Sequence, residues 1–166
     1  MIRFQKIDPE KDKSTLLEIH CEIIYASDTS WAREIPYYQY RTKWLSTSQP
    51  KEFLNHLSRS MQDPRTLAEY VINENEEKVG YVWVVFHDIA DYGLVVAEIM
   101  DFYVFPPYRR SGLGKQILRM IEDRAGANGA NVLRSETGKE NIASIHLHKK
   151  SGFQIYRVLF EKKLEK

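Results

Sequence analysis

The chain has 166 residues, 43% of them hydrophobic and 28% charged, with a formal net charge of +1. That length fits one domain with its own core, the composition excludes a disordered chain, and the near-neutral balance excludes a global basic field for nucleic acid or an anionic membrane. A single cysteine, Cys21, excludes a disulfide framework, and the expected compartment is the reducing cytoplasm.

Residues 1–7 alternate Ile2, Phe4 and Ile7 with polar residues, which predicts a short strand and lacks the apolar core of a signal peptide. Asp8-Pro9 closes it. Residues 14–26 carry Leu16, Leu17, Ile19, Ile23 and Ile24 at helical spacing, with Ser14 as a cap. An aromatic region follows, helical over about 36–45 and 50–61, with Pro50 acceptable in a first turn. The period then changes. Residues 66–72 and 79–86, rich in β-branched and aromatic side chains, flank the polar stretch 73–78 and predict a hairpin. A third strand over 95–105 ends at Pro106-Pro107. Residues 112–127 form a helix lined by Ile117, Leu118, Ile121 and Ala125 and stopped by Gly126 and Gly129. A brief strand over 131–135, a helix over 141–150 and a last strand or hairpin over 153–164 complete the chain. The order β-α-α-β-β-β-α-β-α-β predicts one mixed α/β domain with a partly parallel sheet. No apolar run is long enough to span a bilayer.

The chemistry concentrates at "YRRSGLGKQIL", residues 108–118. A strand ends, the chain turns through Arg109, Arg110, Ser111, Gly112, Leu113 and Gly114, and a helix begins. The first helical N–H groups lack internal partners and sit at the positive end of the macrodipole. Two glycines allow close backbone approach, and Arg109, Arg110 and Lys115 add charge, which together suit a phosphate or pyrophosphate. The stretch is no Walker A loop, and Ile117 stands where a dinucleotide fingerprint has its third glycine. Taken alone, the glycines could also do no more than shape a turn with solvated arginines.

The segment "VFPPYRRSGLGKQIL" resembles the acetyl-CoA-binding motif A of the GNAT acyltransferases: Val104, Pro106, Tyr108, Arg109, Gly112 and Gly114 match it. Further on, "NIASIHLHKKSGF" is similar to motif B, with Asn141, Leu147, Lys150, Gly152 and Phe153 in agreement. Ser144 replaces the common alanine, and His148 replaces the tyrosine that many members use to protonate departing coenzyme A. The "SIHLH" stretch resembles the phosphinothricin-acetyltransferase branch, which implies acetylation of small-molecule amines. The resemblance covers the whole chain and implies the GNAT fold, a central mixed sheet with helices on both faces. It implies acetyl-CoA as cosubstrate and direct attack by the acceptor in a ternary complex. Dimers are frequent in the family, so a homodimer is an implied assembly.

The resemblance also implies roles. Backbone groups at Phe102, Tyr103 and Val104, on a strand that splays from its neighbour, would meet the pantetheine and thioester. The amides from Arg110 through Ser111, Gly112, Leu113 and Gly114 to Lys115 would hold the pyrophosphate, and Asn141, near Ser144, would reach the pantetheine arm. Glu98 matches a glutamate that histone-acetyltransferase members carry on this strand and is the candidate general base; an exposed strand residue is its bland alternative. A free glutamate carboxylate, about 4.3, lies far below an alkyl ammonium near 10, so a base of this type acts through water, on a partly neutral acceptor, or after burial. Asp101 should face the opposite side of an unbroken strand, though a bulge would alter that. His148, on one face with Asn141 and Ile145, is the candidate general acid; its alternative is to pack on the cofactor without doing chemistry.

His20, His56, His87 and His146 show no pairing pattern and read as structural or surface residues. No zinc spacing exists, so no metal is expected. Trp31 and Glu34 are the candidate acceptor contacts, whereas Tyr37, Tyr40 and Trp44 have the spacing of core residues. The leading expectation is an N-acetyltransferase acting on a small primary amine. A protein lysine or N-terminal acetyltransferase and a non-catalytic acyl-CoA-binding module are its alternatives.

Overall fold

The structure is a computed structural model and describes residues 1–27 and 30–165. Five strands, β1 (Arg3–Lys6), β2 (Leu67–Ile72), β3 (Lys78–Ile89), β4 (Leu94–Val104) and β5 (Val132–Ser135), form one sheet in the order β1-β2-β3-β4-β5. The first four pair antiparallel, and β5 joins β4 in parallel. Five α-helices accompany them: α1 (Lys13–Ser27), α2 (Tyr37–Leu45), α3 (Gln49–Ser60), α4 (Leu113–Ala127) and α5 (Ile142–Lys150). A parallel neighbour requires a crossover, and α4 supplies it.

Every residue of β2 and all of 79–86 in β3 are buried, because helices cover both faces of the sheet; such strands read as continuous apolar runs. Tyr70, Ile72, Tyr81, Trp83 and Val85 pack under Leu16 and Ile19 of α1 and Phe53 and Leu57 of α3. Their alternates Val71, Val82, Val84, Ala97 and Ile99 pack under Ile117, Leu118, Ile121 and Ala125 of α4. A third cluster seats α2 on α1 through Cys21, Ala32, Tyr40 and Trp44. Burial pushes the Cys21 thiol up from its ordinary range. One charge enters the α4 side: Glu69 of β2 is buried and paired with Arg124 of α4, whose guanidinium also covers Phe4.

Two expected elements differ. The cap expected at Ser14 is not made, since α1 already begins at Lys13. Residues 153–164, expected as a last strand or hairpin, form no regular element. They run past β5, where Tyr156 meets the Arg134 guanidinium at 4.7 Å, and on to Glu34, which Lys163 pairs at 2.9 Å. Side-chain contacts of this kind hold a chain alongside a sheet but supply no ladder, and Ile155, Val158, Leu159 and Phe160 stay exposed. A cavity of about 430 Å³ lies between this segment and β5, lined by Leu133, Ser135, Phe153 and Tyr156 among others.

Gly80 sets the approach of β3 to β4. A Cβ at that position would lie 2.8 Å from the Tyr103 carbonyl oxygen and 3.2 Å from Ile117 Cδ1. Gly80→Ala is expected to lower stability by about 1–3 kcal/mol, read as an earlier urea midpoint; an unchanged midpoint would show that the sheet yields there freely.

Candidate active site

The ladder between β4 and β5 runs from Val96↔Val132 to Ile99↔Ser135 and stops. Beyond it β4 continues to Val104, paired on its other side with β3. The β5-facing edge of β4 at Phe102, Tyr103 and Val104 therefore has no strand partner among the described residues, and a cleft opens at Ile99 and Ser135.

The α4 end of this cleft is built for an anion. Arg110 has φ +63° and Gly112, the residue before α4, has φ +84°. Left-handed residues alternating along a loop turn successive N–H groups to one side. The first helix-type bond runs from Lys115 N to Gly112 O at 3.1 Å, and the amides of residues 111–114 have no partner among the described residues. A Cβ at Gly112 would meet nothing within 4 Å, so space there is open to a ligand. Gly114 serves packing instead. A Cβ there would lie 3.1 Å from Leu147 Cδ2, so this glycine lets α5 close on α4.

The basic side chains divide. Arg110 and Lys115 are exposed at the loop. Arg109 turns away from it: Nε donates to the Val104 carbonyl at 2.8 Å, and the guanidinium lies 5.1 Å over the Tyr103 ring and 4.0 Å from Glu22. The Tyr103 hydroxyl donates to Glu22 at 2.5 Å; burial and that carboxylate hold it well above the ordinary phenol range. Arg109 thus fastens the loop to β4 and α1, while its backbone remains in the turn. Ser111 closes the turn by donating to the Tyr108 carbonyl at 2.7 Å.

On the α1 side of the sheet, a bulge decides which carboxylates meet. Val84 pairs with Ile99 and Trp83 with Asp101, so Met100 is the extra residue on β4. Trp83 and Val85 share a face, and their opposites Asp101 and Glu98 therefore share it too. Glu98 is 33% exposed, and its Oε2 lies 3.0 Å from His87 Nε2. Asp101 is 1% exposed, with both oxygens 3.0 Å from His20 Nδ1. The His20 ring stacks on Phe53 at 3.9 Å between centroids. His20 and His87 are thus both paired with acids, which sequence spacing did not reveal: the partners stand on different elements. Asp101 also helps burial hold the Tyr81 hydroxyl well above its ordinary range.

Across the cleft, Asn141 precedes α5 and its side-chain oxygen accepts from Ser144 N at 3.4 Å. His148 has both ring nitrogens engaged: Nδ1 lies 2.7 Å from the Ser144 carbonyl oxygen and Nε2 lies 2.8 Å from Ser135 Oγ. Phe153 presents its ring edge-on at 4.9 Å. Ser135 carries no motif signal; only the end of a predicted strand marked it. Of the two acceptor-side candidates, Trp31 is half exposed beside Tyr40, on a short 3₁₀ turn, and Glu34 on the same turn is the partner of Lys163. Neither touches the cleft residues above. No group of three or more potential metal ligands occurs among the described residues, and no helix among them is long and apolar enough to cross a membrane.

Comparison with known proteins gives the family and the fold. Residues 24–153 match the acetyltransferase (GNAT) family. The uncharacterized N-acetyltransferase YycN of Bacillus subtilis is 30% identical over 113 residues, 68% of this chain and 70% of that protein. The L-amino acid N-acyltransferase MnaT of Escherichia coli is 32% identical over 97 residues, 56% of this chain and 55% of that protein. A methionine sulfoximine and methionine sulfone acetyltransferase of Pseudomonas aeruginosa is 42% identical over 53 residues, 32% of this chain and 31% of that protein. Among solved structures, Bacillus subtilis YycN superposes with a TM-score of 0.74 at 20% identity over the full length of both chains. An acetyltransferase of Clostridium acetobutylicum, solved with acetyl-CoA, superposes with a TM-score of 0.69 at 17% identity, over 98% of this chain and 96% of that one. With residues 24–153 matching its model and the fold in agreement, this chain belongs to the acetyltransferase (GNAT) family.

Proposed function

We propose that this protein moves the acetyl group of acetyl-CoA to the primary amine of a small molecule, by direct attack within a ternary complex. The observation that carries the reading is the loop before α4: unpartnered amides at 111–114, alternating left-handed residues and two exposed cations follow the stretch of β4 that runs on past its last pairing with β5. That set fits a diphosphate at the loop and an extended arm along the free edge of β4. The names of MnaT and of the Pseudomonas relative favour an acceptor of amino-acid size.

When bound, acetyl-CoA supplies the thioester to be attacked. The amides of Ser111, Gly112, Leu113 and Gly114 and the charges of Arg110 and Lys115 hold the diphosphate, and Arg109 keeps their loop in place. The free edge at Phe102, Tyr103 and Val104 offers donors to the pantetheine and the oxyanion, and Asn141, with its side-chain amide hydrogens uncommitted among the described residues, reaches the same arm beside Ser144. Glu98, the more open of two carboxylates on the α1 face, draws the ammonium in and takes its proton directly or through water. Trp31 and Glu34, set apart from the cleft on their 3₁₀ turn, offer an aromatic face and a carboxylate of the kind that suits a cationic acceptor. The proton returned to the departing thiolate comes from the His148 side of the cleft. The cytoplasm is the compartment that supplies acetyl-CoA to such an enzyme.

A panel of amines assayed by release of coenzyme A thiol tests this. Turnover is expected with an amino acid or a comparable small amine, and with Glu98→Gln kcat is expected to fall about 10²-fold while KM for acetyl-CoA holds. Preferred turnover of lysine peptides would overturn the small-molecule acceptor, and coenzyme binding without turnover of any amine would point to a binding module. Gly112→Ala forces a Cβ into φ +84°, at about 1–2 kcal/mol; coenzyme A affinity by calorimetry is expected to drop about tenfold, and unaltered affinity would sever the loop from the coenzyme.

A further inference from the structure

We propose that Ser135 is the residue that gives its proton to the coenzyme A thiolate, and that His148 acts only through Ser135, as a positioning and recharging residue. The inference rests on the acyl-transfer reading of this cleft. It starts from the hydrogen bonds of His148. The Ser144 carbonyl 2.7 Å from Nδ1 can only accept, and the Ser144 hydroxyl, more distant at 3.3 Å, can accept as well, so Nδ1 carries a hydrogen. In the neutral ring Nε2 is then the acceptor, and the hydroxyl 2.8 Å away donates to it. Phe153, edge-on at 4.9 Å, and the α5 backbone hold the ring in that orientation. Neither nitrogen is left to meet a sulfur atom, so a proton from His148 reaches the cleft only by way of the Ser135 oxygen.

Ser135 stands where such a donor is needed. It is the last residue of β5 in register with β4, opposite Ile99, at the mouth of the parting strands. With Leu133 it shares the face under α4 and α5. An alcohol alone is a poor acid beside a thiol near 8.5, which is why the imidazole behind it matters. In the charged ring Nε2–H donates to Oγ and frees the hydroxyl hydrogen to point into the cleft. As the tetrahedral intermediate collapses, the C–S bond breaks and its electron pair goes to sulfur. Sulfur takes the hydroxyl proton, Oγ takes the Nε2 proton, and His148 returns to the neutral ring with Nδ1–H still on Ser144. Solvent restores its proton, while the proton of the attacking amine leaves on the opposite face of the sheet.

The test uses Ser135→Ala and Ser135→Thr in the full-length protein, with two acyl donors. On acetyl-CoA, Ser135→Ala is expected to lower kcat about tenfold to a hundredfold with KM within about twofold, less than the full range for an acid because a thiolate is a fair leaving group. On an aryl thioester of acetate, whose thiolate departs unprotonated, the loss is expected to stay below about threefold, and Ser135→Thr recovers most of the rate on acetyl-CoA. Nitrogen-15 spectra of the ligand-free protein give a readout apart from turnover: His148 is expected as the Nδ1–H tautomer, with the Nε2 resonance moving toward that of a free ring nitrogen in Ser135→Ala. Equal loss on both donors, or an Nε2–H tautomer, would overturn the relay and leave the acyl-transfer reading standing. No turnover of any amine by the unaltered protein would overturn both.

Discussion

Between Val96 and Ile99, β4 shares a parallel ladder with β5, and past Ser135 that ladder has no successor. β4 is nevertheless held in place, because β3 pairs with it on the other side as far as Val104. One strand is thus firmly supported along one edge and bare along the other. A bare edge on a buried strand leaves backbone donors and acceptors unsatisfied, and in this protein that vacancy coincides with the turn that leads into α4. The proposed site is consequently made from main-chain atoms in large part, with side chains at its two ends.

The side chains at those ends are secured by contacts that reach across layers. Asp101 is held by His20 from α1, Tyr103 by Glu22 of the same helix, and Arg109 ties the loop back to both. On the other face Glu69 and Arg124 fasten β2 to α4. A buried carboxylate without a partner is costly, and one with a partner contributes more to fixing geometry than to net stability. The bulge at Met100 is the small irregularity that makes the α1-side arrangement feasible, since it turns Asp101 onto the face that already carries Glu98.

Much of this was legible in the sequence, for identifiable reasons. Strands buried on both faces read as continuous apolar runs, so β2, β3 and β4 stood out within one to three residues at their ends, and α4 announced itself by Ile117, Leu118, Ile121 and Ala125. The loop at 109–115 was legible because glycines and cations leave a local signature. What stayed hidden was relational. The bulge is a property of two strands together, and the pairs His20–Asp101 and His148–Ser135 join positions far apart or outside any motif. Composition likewise said nothing of the separate duties of the two glycines: Gly112 supplies backbone conformation, and Gly114 supplies room for Leu147. The terminal segment at 153–164 misled for a related reason. Its residues have strand character, but strand character forms no strand without a neighbouring ladder.

Cys21, sealed between α1 and α2 beside Tyr40 and Trp44, is the chain's sole sulfhydryl, and burial disfavours its thiolate. Thiolates are what attack disulfide reagents, so the folded protein presents such reagents with almost nothing. Oxidants and electrophiles that disable exposed cysteines would pass this acetyltransferase by.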